Sequence, residues 1–246
     1  MTLDLPVVVL CGGLGTRLRS AVSDRPKALA PVGNEPFLAV QLDLLRQRGA
    51  RRFVLCVGHM ADQIEAEFGD GSRFGVRIDY SHDGEKLLGT GGALKRAERF
   101  FAPAAVVVNG DTYIDVDLHQ LAHTHAAANT RWGHNVGATL TLARVPDASR
   151  YGSIDTDGTC VKAFREKETG AAQSGWVNAG VYVIERSLLA RVPAGEVVSL
   201  ERDVFPAALC DGLTLAAFSQ DAGFHDIGTP DDFRGFVAQR EAIHVA

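Results

Sequence analysis

Val7-Val8-Val9-Leu10-Cys11-Gly12-Gly13-Leu14-Gly15-Thr16-Arg17-Leu18, followed by Pro26-Lys27-Ala28-Leu29-Ala30-Pro31-Val32, decides how this chain is read. The apolar, β-branched run predicts a short strand buried on both faces. The glycines that end it let backbone N–H groups approach a phosphate chain, because no Cβ stands in the way. Arg17 and Lys27 then bring two cations to the same cradle. Fixed positive charge at such a place suits a triphosphate that is cut as well as held. A plain glycine turn at a strand end would not account for Arg17, nor for Lys27 set between Pro26 and Pro31, whose fixed φ angles argue for a rigid loop.

Two familiar glycine loops do not fit. The phosphate loop of the common NTPases ends Gly-Lys-Ser/Thr, and no such triplet occurs. A dinucleotide fingerprint needs a third glycine and an acidic residue ending the second strand. Here Gly13-Leu14-Gly15 runs into Thr16-Arg17-Leu18, and the second strand ends Val57-Gly58-His59.

Working outward, Phe53–Val57 and Ala105–Asn109 repeat the apolar strand pattern, with a helix over Phe37–Gln47 stopped near Gly49 and another over Gly91–Phe100. This βαβ alternation predicts an α/β fold, a mostly parallel mixed sheet with helices on both faces. Past Val136 the pattern turns to strand-like segments, Val136–Ala143, Gly152–Asp155, Val161–Phe164 and Trp176–Ile184, with a turn at Asp157-Gly158. Helices are expected over Ser199–Cys210 and Asp231–Ile243, the second opened by Thr229-Pro230. Ser199 with Arg202 makes no capping box, and polar Asn129–Asn135 reads as a mobile loop. One domain over 1–246 is expected, its pattern changing near residue 136.

Bulk properties narrow the class. A net charge of −5 argues against a nucleic-acid groove, so any anion site must be a local cluster of the kind Arg17, Lys27 and Lys167 would form. No apolar run approaches membrane-spanning length and no signal peptide is visible, so a cytoplasmic protein without a membrane partner is expected. Cys11, Cys56, Cys160 and Cys210 lack a Cys-x-x-Cys spacing; three of them sit in apolar stretches, and the four read as free core thiols in a reducing cytoplasm. His119, His123 and His125 invite a zinc reading, since the first two share a helical face. No cysteine or carboxylate at matching spacing accompanies them, and a solvated helix face is the favoured reading.

Ligands of open α/β sheets bind beyond the carboxyl ends of the strands. Asp111, after the strand Ala105–Asn109, and Asp226 are therefore candidates for a pair of carboxylates holding a hard divalent cation. Asp111 reads equally as a turn residue ahead of a helix starting near Asp117, and Asp226 as a strand running into a helix cap. Asp115 and Asp117 are assigned to the start of that helix. Arg165-Glu166-Lys167-Glu168, taken alone, is a charged turn.

Taken together and in order, Leu10 to Leu18 with Pro26-Lys27, Leu88-Gly89-Thr90-Gly91-Gly92-Ala93, Asn109-Gly110-Asp111, Arg165-Glu166-Lys167, Asn178-Ala179-Gly180 and Asp226-Ile227-Gly228-Thr229-Pro230 resemble the sugar-1-phosphate nucleotidyltransferases. The resemblance implies a Rossmann-like nucleotidyltransferase fold of the glycosyltransferase-A kind, with a nucleotide-binding half over about 1–135 and a sugar-phosphate-binding half over about 136–246. It implies that Leu10, Cys11, Gly12, Gly13, Gly15, Thr16, Arg17, Leu88, Gly89, Thr90, Asn109 and Gly110 bind the nucleotide. Arg17 would lie on the leaving pyrophosphate and Lys27 near the α-phosphate and the attacking phosphate. Asp111 and Asp226 would bind magnesium, making Arg17, Lys27 and Asp111 the catalytic set. Tyr151, Gly152, Glu166, Lys167, Asn178, Ala179 and Gly180 would line the sugar-phosphate pocket.

Cys11 in the glycine loop, the segment Arg19 to Pro26 and Leu87 to Gly92 further resemble one branch, the D-glycero-α-D-manno-heptose 1-phosphate guanylyltransferases. That branch implies GTP and a manno-heptose 1-phosphate as substrates and GDP-heptose for a surface polysaccharide such as a capsule. UTP- or dTTP-using relatives acting on glucose, mannose or muramyl sugars are the alternative, followed by a non-catalytic nucleotide-sugar sensor. The resemblance leaves room for a homo-oligomer. No second activity, such as a β-helical acyltransferase, is expected.

Overall fold

The computed structural model describes residues 2–18, 22, 24–165, 173–221 and 223–245. Its strands and helices follow in chain order as β1 (Val7–Leu10), β2 (Pro31–Val32), β3 (Glu35–Pro36), α1 (Phe37–Gln47), β4 (Arg52–Val57), α2 (Ala61–Phe68), β5 (Arg77–His82), α3 (Gly89–Arg96), β6 (Ala104–Asn109), β7 (Thr112–Ile114) and α4 (Leu118–Arg131). They continue as β8 (Val136–Val145), β9 (Ile154–Thr156), β10 (Val161–Phe164), β11 (Gly175–Glu185), α5 (Arg186–Leu189), α6 (Phe205–Cys210), β12 (Thr214–Gln220), β13 (Phe224–Asp226) and α7 (Pro230–Val245).

Seven strands make one mixed sheet in the order β12-β8-β11-β6-β1-β4-β5. The pairs β6-β1, β1-β4, β4-β5 and β12-β8 are parallel, whereas β11 runs antiparallel to both β6 and β8. The helices lie on both faces, as the βαβ alternation predicts. Because successive strand residues point to opposite faces, Val7 and Val9 pack with α1, α2 and α4, through Leu38, Leu42, Ile64, Phe68, Leu118 and Leu121. Val8 faces the other way, toward Leu94 of α3, Leu188 of α5 and Phe205 of α6. All three valines are fully buried, each contributing about 1.5–3 kcal/mol of transfer free energy.

Four expectations are corrected. Asn129–Asn135 is not a loop throughout, since residues 129–131 complete α4. The segment Ser199–Cys210 is not one regular helix: a π-helical turn over Leu200–Val204, its Arg202 N–H capped by Ser199 Oγ, runs into α6. His125 does not sit on a solvated face, because it is buried between Thr139 and Glu185. Its place follows from spacing: Leu118, Leu121, His125 and Ala128 form the buried stripe of α4. Cys210, finally, is an exposed thiol, while the other three cysteines are buried. No described helix is long and apolar enough to cross a membrane.

Candidate active site

Parallel strands β1, β4, β5 and β6 end on the same edge, and a cavity of about 420 Å³ opens there. The glycine loop forms its floor. Gly15 adopts φ of +58°, and any side chain there would press on Lys27 Cβ, so the glycine sets the turn and the lysine's approach together. Beyond it, Thr16–Leu18 make a single 3-10 turn that carries Arg17. Cys11 lies beneath the loop with its Sγ donating to the Cys56 carbonyl at 3.3 Å. Burial pushes this thiol up to about 12, so it packs the loop and offers no nucleophile.

Lys27 opens a second 3-10 turn, Lys27–Leu29, entered from Pro26 in extended geometry. Its Nζ donates to Asp111 Oδ2 at 2.9 Å, and its side chain is largely buried. Asp111 does not cap the following helix; Asp117 does, accepting from the Gln120 N–H, while Asp115 pairs with Arg48. Past Asp111 the chain forms β7, which pairs antiparallel with β13 so that Asp226 faces Thr112. The Ile227 N–H donates to the Asp111 carbonyl at 2.9 Å, closing the ribbon beside both acids.

The two carboxylates therefore share one corner with Lys27 and Arg17. Burial, and then the charge of Asp111, push the Asp226 carboxyl above its ordinary value; Lys27, the Gly228 N–H and Arg17 pull it down less strongly. A hard divalent cation fits this donor set, since like-charged oxygens at one corner lower their mutual repulsion by sharing it. Among the described residues no group of three or more His, Cys, Asp and Glu side chains converges. Asp111 and Asp226 are the two carboxylates brought to this corner.

Of the residues expected at the nucleotide, Leu10, Cys11, Gly12, Gly13, Gly15, Thr16, Arg17, Gly89, Thr90, Asn109 and Gly110 line the cavity, as do Lys27 and Asp111. Leu88 is buried away from it, and Leu87 takes the wall position instead. None of the described residues expected at the sugar lines this cavity: Asn178, Ala179 and Gly180 lie on β11, and Tyr151 and Gly152 in the segment between β8 and β9. A register shift in β11 between Asn178 and Tyr182 lets Gly180 turn toward Asn109 and Thr112, and the Asn178 side chain fixes that turn by accepting from the Gly180 N–H. Ala179 is buried within it. Tyr151 stacks edge-on against Phe224 at 5.4 Å, beside Asp226, and Gly152 follows in a left-handed turn. Glu166 and Lys167 lie outside the described residues.

Sequence reading missed several residues of the site. Asp83 and Leu87 line the cavity, and both follow β5, a strand whose mixed burial hid it. Glu201 accepts from Thr90 Oγ1 at 2.9 Å and from Ser199 Oγ at 3.1 Å, tying the Gly89–Thr90 turn to the π-helical turn. Gly228 lines the cavity where Arg17 and Asp226 meet, a glycine whose motif was read while its contact was not.

A family model described as Nucleotidyl transferase matches residues 6–242. The chain is 36% identical over 241 residues to the D-glycero-alpha-D-manno-heptose 1-phosphate guanylyltransferase of Aneurinibacillus thermoaerophilus, covering 98% of this chain and 99% of that one. It is 39% identical over 235 residues to the mannose-1-phosphate guanylyltransferase of Mycobacterium tuberculosis, covering 94% of this chain but only 63% of that protein. HddC from Yersinia pseudotuberculosis, solved complexed with GMP-PN, superposes with a TM-score of 0.79 at 29% identity, covering 96% of this chain and 99% of the other.

Proposed function

The chain belongs to the nucleotidyl transferase family and is a sugar-1-phosphate nucleotidyltransferase; within that class, we propose that it joins GTP to D-glycero-α-D-manno-heptose 1-phosphate, giving GDP-heptose and pyrophosphate in the cytoplasm. Support for the sugar and base comes from relatives that match end to end, at 36% and 33% identity. The observation that carries the chemistry is the convergence of Lys27, Arg17, Asp111 and Asp226 at the mouth of the glycine loop.

In the reaction, a phosphate oxygen of the sugar phosphate attacks the α-phosphorus in line. One P–O bond forms, the bond to the β-phosphate oxygen breaks, and pyrophosphate leaves with the electron pair. No proton transfer is needed at the phosphorus, so the protein's task is to position two anions that repel each other and to neutralise developing charge. Lys27, held by Asp111 and by the rigid Pro26 turn, is assigned to the α-phosphate and its attacker. Arg17, at the turn after the glycines, is assigned to the departing pyrophosphate. The glycine-loop N–H groups hold the triphosphate, and Asn178 to Gly180 with Tyr151 and Gly152 form the sugar side. Asp111 and Asp226 would hold magnesium, which when bound supplies positive charge against the phosphate oxygens.

A second reading, GTP with mannose 1-phosphate, is favoured by the 39% identity to the mycobacterial relative. The test is pyrophosphate release with magnesium across GTP, ATP, UTP, CTP and dTTP against a panel of sugar 1-phosphates. Release with GTP and the manno-heptose is expected. Preference for mannose 1-phosphate selects the second reading, and preference for UTP or dTTP overturns the guanylyl assignment. Silence across the panel would leave a nucleotide-sugar sensor as the better account.

A further inference from the structure

We infer that Gln41 is a positioning residue of the reaction: from helix α1 it holds the turn that carries Asp111, and so sets where that carboxylate meets Lys27. This rests on Asp111 and Asp226 being the magnesium pair and deepens that reading.

Gln41 is out of character with its helix. Every other residue that α1 buries is apolar, yet Gln41 is only 2% exposed. Its Nε2 donates to the Asn109 carbonyl at 3.0 Å and to the Thr112 carbonyl at 2.5 Å. The orientation of the amide is forced, because a flip would set its oxygen against two carbonyl oxygens. Oε1 is then left buried without a partner among the described residues. An idle buried acceptor costs stability, so packing alone does not ask for a glutamine here. What the amide adds is a grip on the carbonyls that flank Asp111.

Asn109 ends β6 and Thr112 opens β7, so Gln41 spans the Gly110-Asp111 turn between them. Two other elements hold the same turn. The Gly110 N–H donates to the Leu10 carbonyl of β1 at 2.9 Å, and a Cβ at Gly110 would press on that oxygen at 2.5 Å. The Asp111 carbonyl accepts from the N–H of Ile227, the residue after β13. Both of these contacts are backbone to backbone. The hold from α1 is the one made by a side chain.

The same helix also seats the lysine. The N–H of Phe37, which opens α1, donates to the Ala30 carbonyl at 2.9 Å. The Ala30 N–H in turn closes the Lys27 turn, donating to the Lys27 carbonyl at 3.0 Å. Gln41 follows Phe37 by one helical turn. One rigid element therefore holds both halves of a pair whose charged atoms meet at 2.9 Å. If α1 loses its grip on the Asp111 turn, the carboxylate keeps its chemistry and loses its place. A misplacement of about 1 Å can cost roughly 100-fold in rate.

The test replaces Gln41 by methionine, which keeps the length and removes both donors, and separately by leucine, which removes them with a different shape. Mn2+ binding to the nucleotide-free protein, read from loss of the free-ion electron paramagnetic resonance signal, should weaken by about 10-fold. With the preferred nucleotide and sugar phosphate, kcat should fall by about 10- to 100-fold. KM for the nucleotide should stay near its wild-type value, because the glycine loop does not depend on this contact. In an Asp111→Asn background, Gln41→Met should add little to either loss, as a residue acting through Asp111 must. Wild-type Mn2+ affinity and kcat in either folded variant overturn the inference. So does a loss confined to KM, or a full further loss once Asp111 is already replaced, since each marks a general disturbance of the cavity. A wild type that binds no Mn2+, or an Asp111→Asn protein that binds it unchanged, fails the metal reading itself before Gln41 is touched.

Discussion

A hydrogen-bonded histidine cluster and an ion pair sit at opposite ends of β6 and differ in how completely the protein satisfies them. At the amino end, where Glu185 is in register with Ala104, His125 Nε2 and Asn129 Nδ2 both reach Glu185 Oε1, at 3.0 and 2.8 Å. His125 Nδ1 meets Thr139 Oγ1 at 2.9 Å. The Glu185 carboxyl is drawn below its ordinary value, chiefly by His125. At the carboxyl end, Lys27 meets Asp111 while the neighbouring Asp226 is pushed up by burial and by Asp111. One cluster is closed by its own side chains. The other keeps charge in reserve for a ligand, and that difference separates a structural cluster from a working site more clearly than residue type does.

The comparison breaks most visibly at Lys27. Lys27→Ala should lower kcat by about 10³-fold, the scale for losing one preorganised charge at a developing anion, with little change in melting temperature. Turnover at the wild-type rate would remove Lys27 from the mechanism. His125→Ala should do the reverse, costing about 1–2 kcal/mol of stability by removing a buried imidazole and its hydrogen bonds with Thr139 and the half-buried Glu185. Urea unfolding would measure it, with activity of the remaining folded enzyme intact.

Asp226→Asn sharpens the contrast, since it removes a charge the fold does not satisfy. Turnover should fall about 10²-fold and the magnesium activation midpoint should rise. The sign for stability follows from the raised carboxyl: the folded state holds its proton at higher pH than the unfolded chain, so ionised Asp226 weakens the fold above that range. Melting temperature at neutral pH should therefore hold or increase, and a fall of several degrees would contradict the assignment.

The smallest effect is at Glu185, where the sign is opposite. Its lowered carboxyl binds fewer protons when folded, so its stabilisation is present above the ordinary carboxylate range and is lost as pH falls through the lowered value. The melting-temperature gap between wild type and Glu185→Gln should close on acidification.

What was legible follows the same division. Strands β1, β4 and β6 were readable because runs such as Val7–Leu10 and Ala104–Asn109 are buried on both faces, and α1 because its stripe ends at a glycine. Strand β5 reads Arg-Ile-Asp-Tyr-Ser-His, too polar for a buried-strand template, and with it Asp83 went unseen. Helix α2 and strand β12 escaped notice as well. His125 occupies a core position of α4 that residue type assigns to the surface, and only its tertiary partners explain it. Asp111 and Asp226 were legible as chemistry through resemblance, but their meeting depends on β7 and β13, three residues each, which no local pattern announces.

That small ribbon has a consequence for how the enzyme comes into being. Lys27 and Asp111 are 84 residues apart, and Asp226 arrives only when β13, near the end of the chain, has zipped onto β7. Closing so long a loop comes late in folding. A nascent chain can therefore build its glycine cradle well before it owns the second carboxylate, and phosphate grip precedes chemistry. The ribbon works as a clasp: the site becomes competent in the same event that fastens the last strand to the body of the protein.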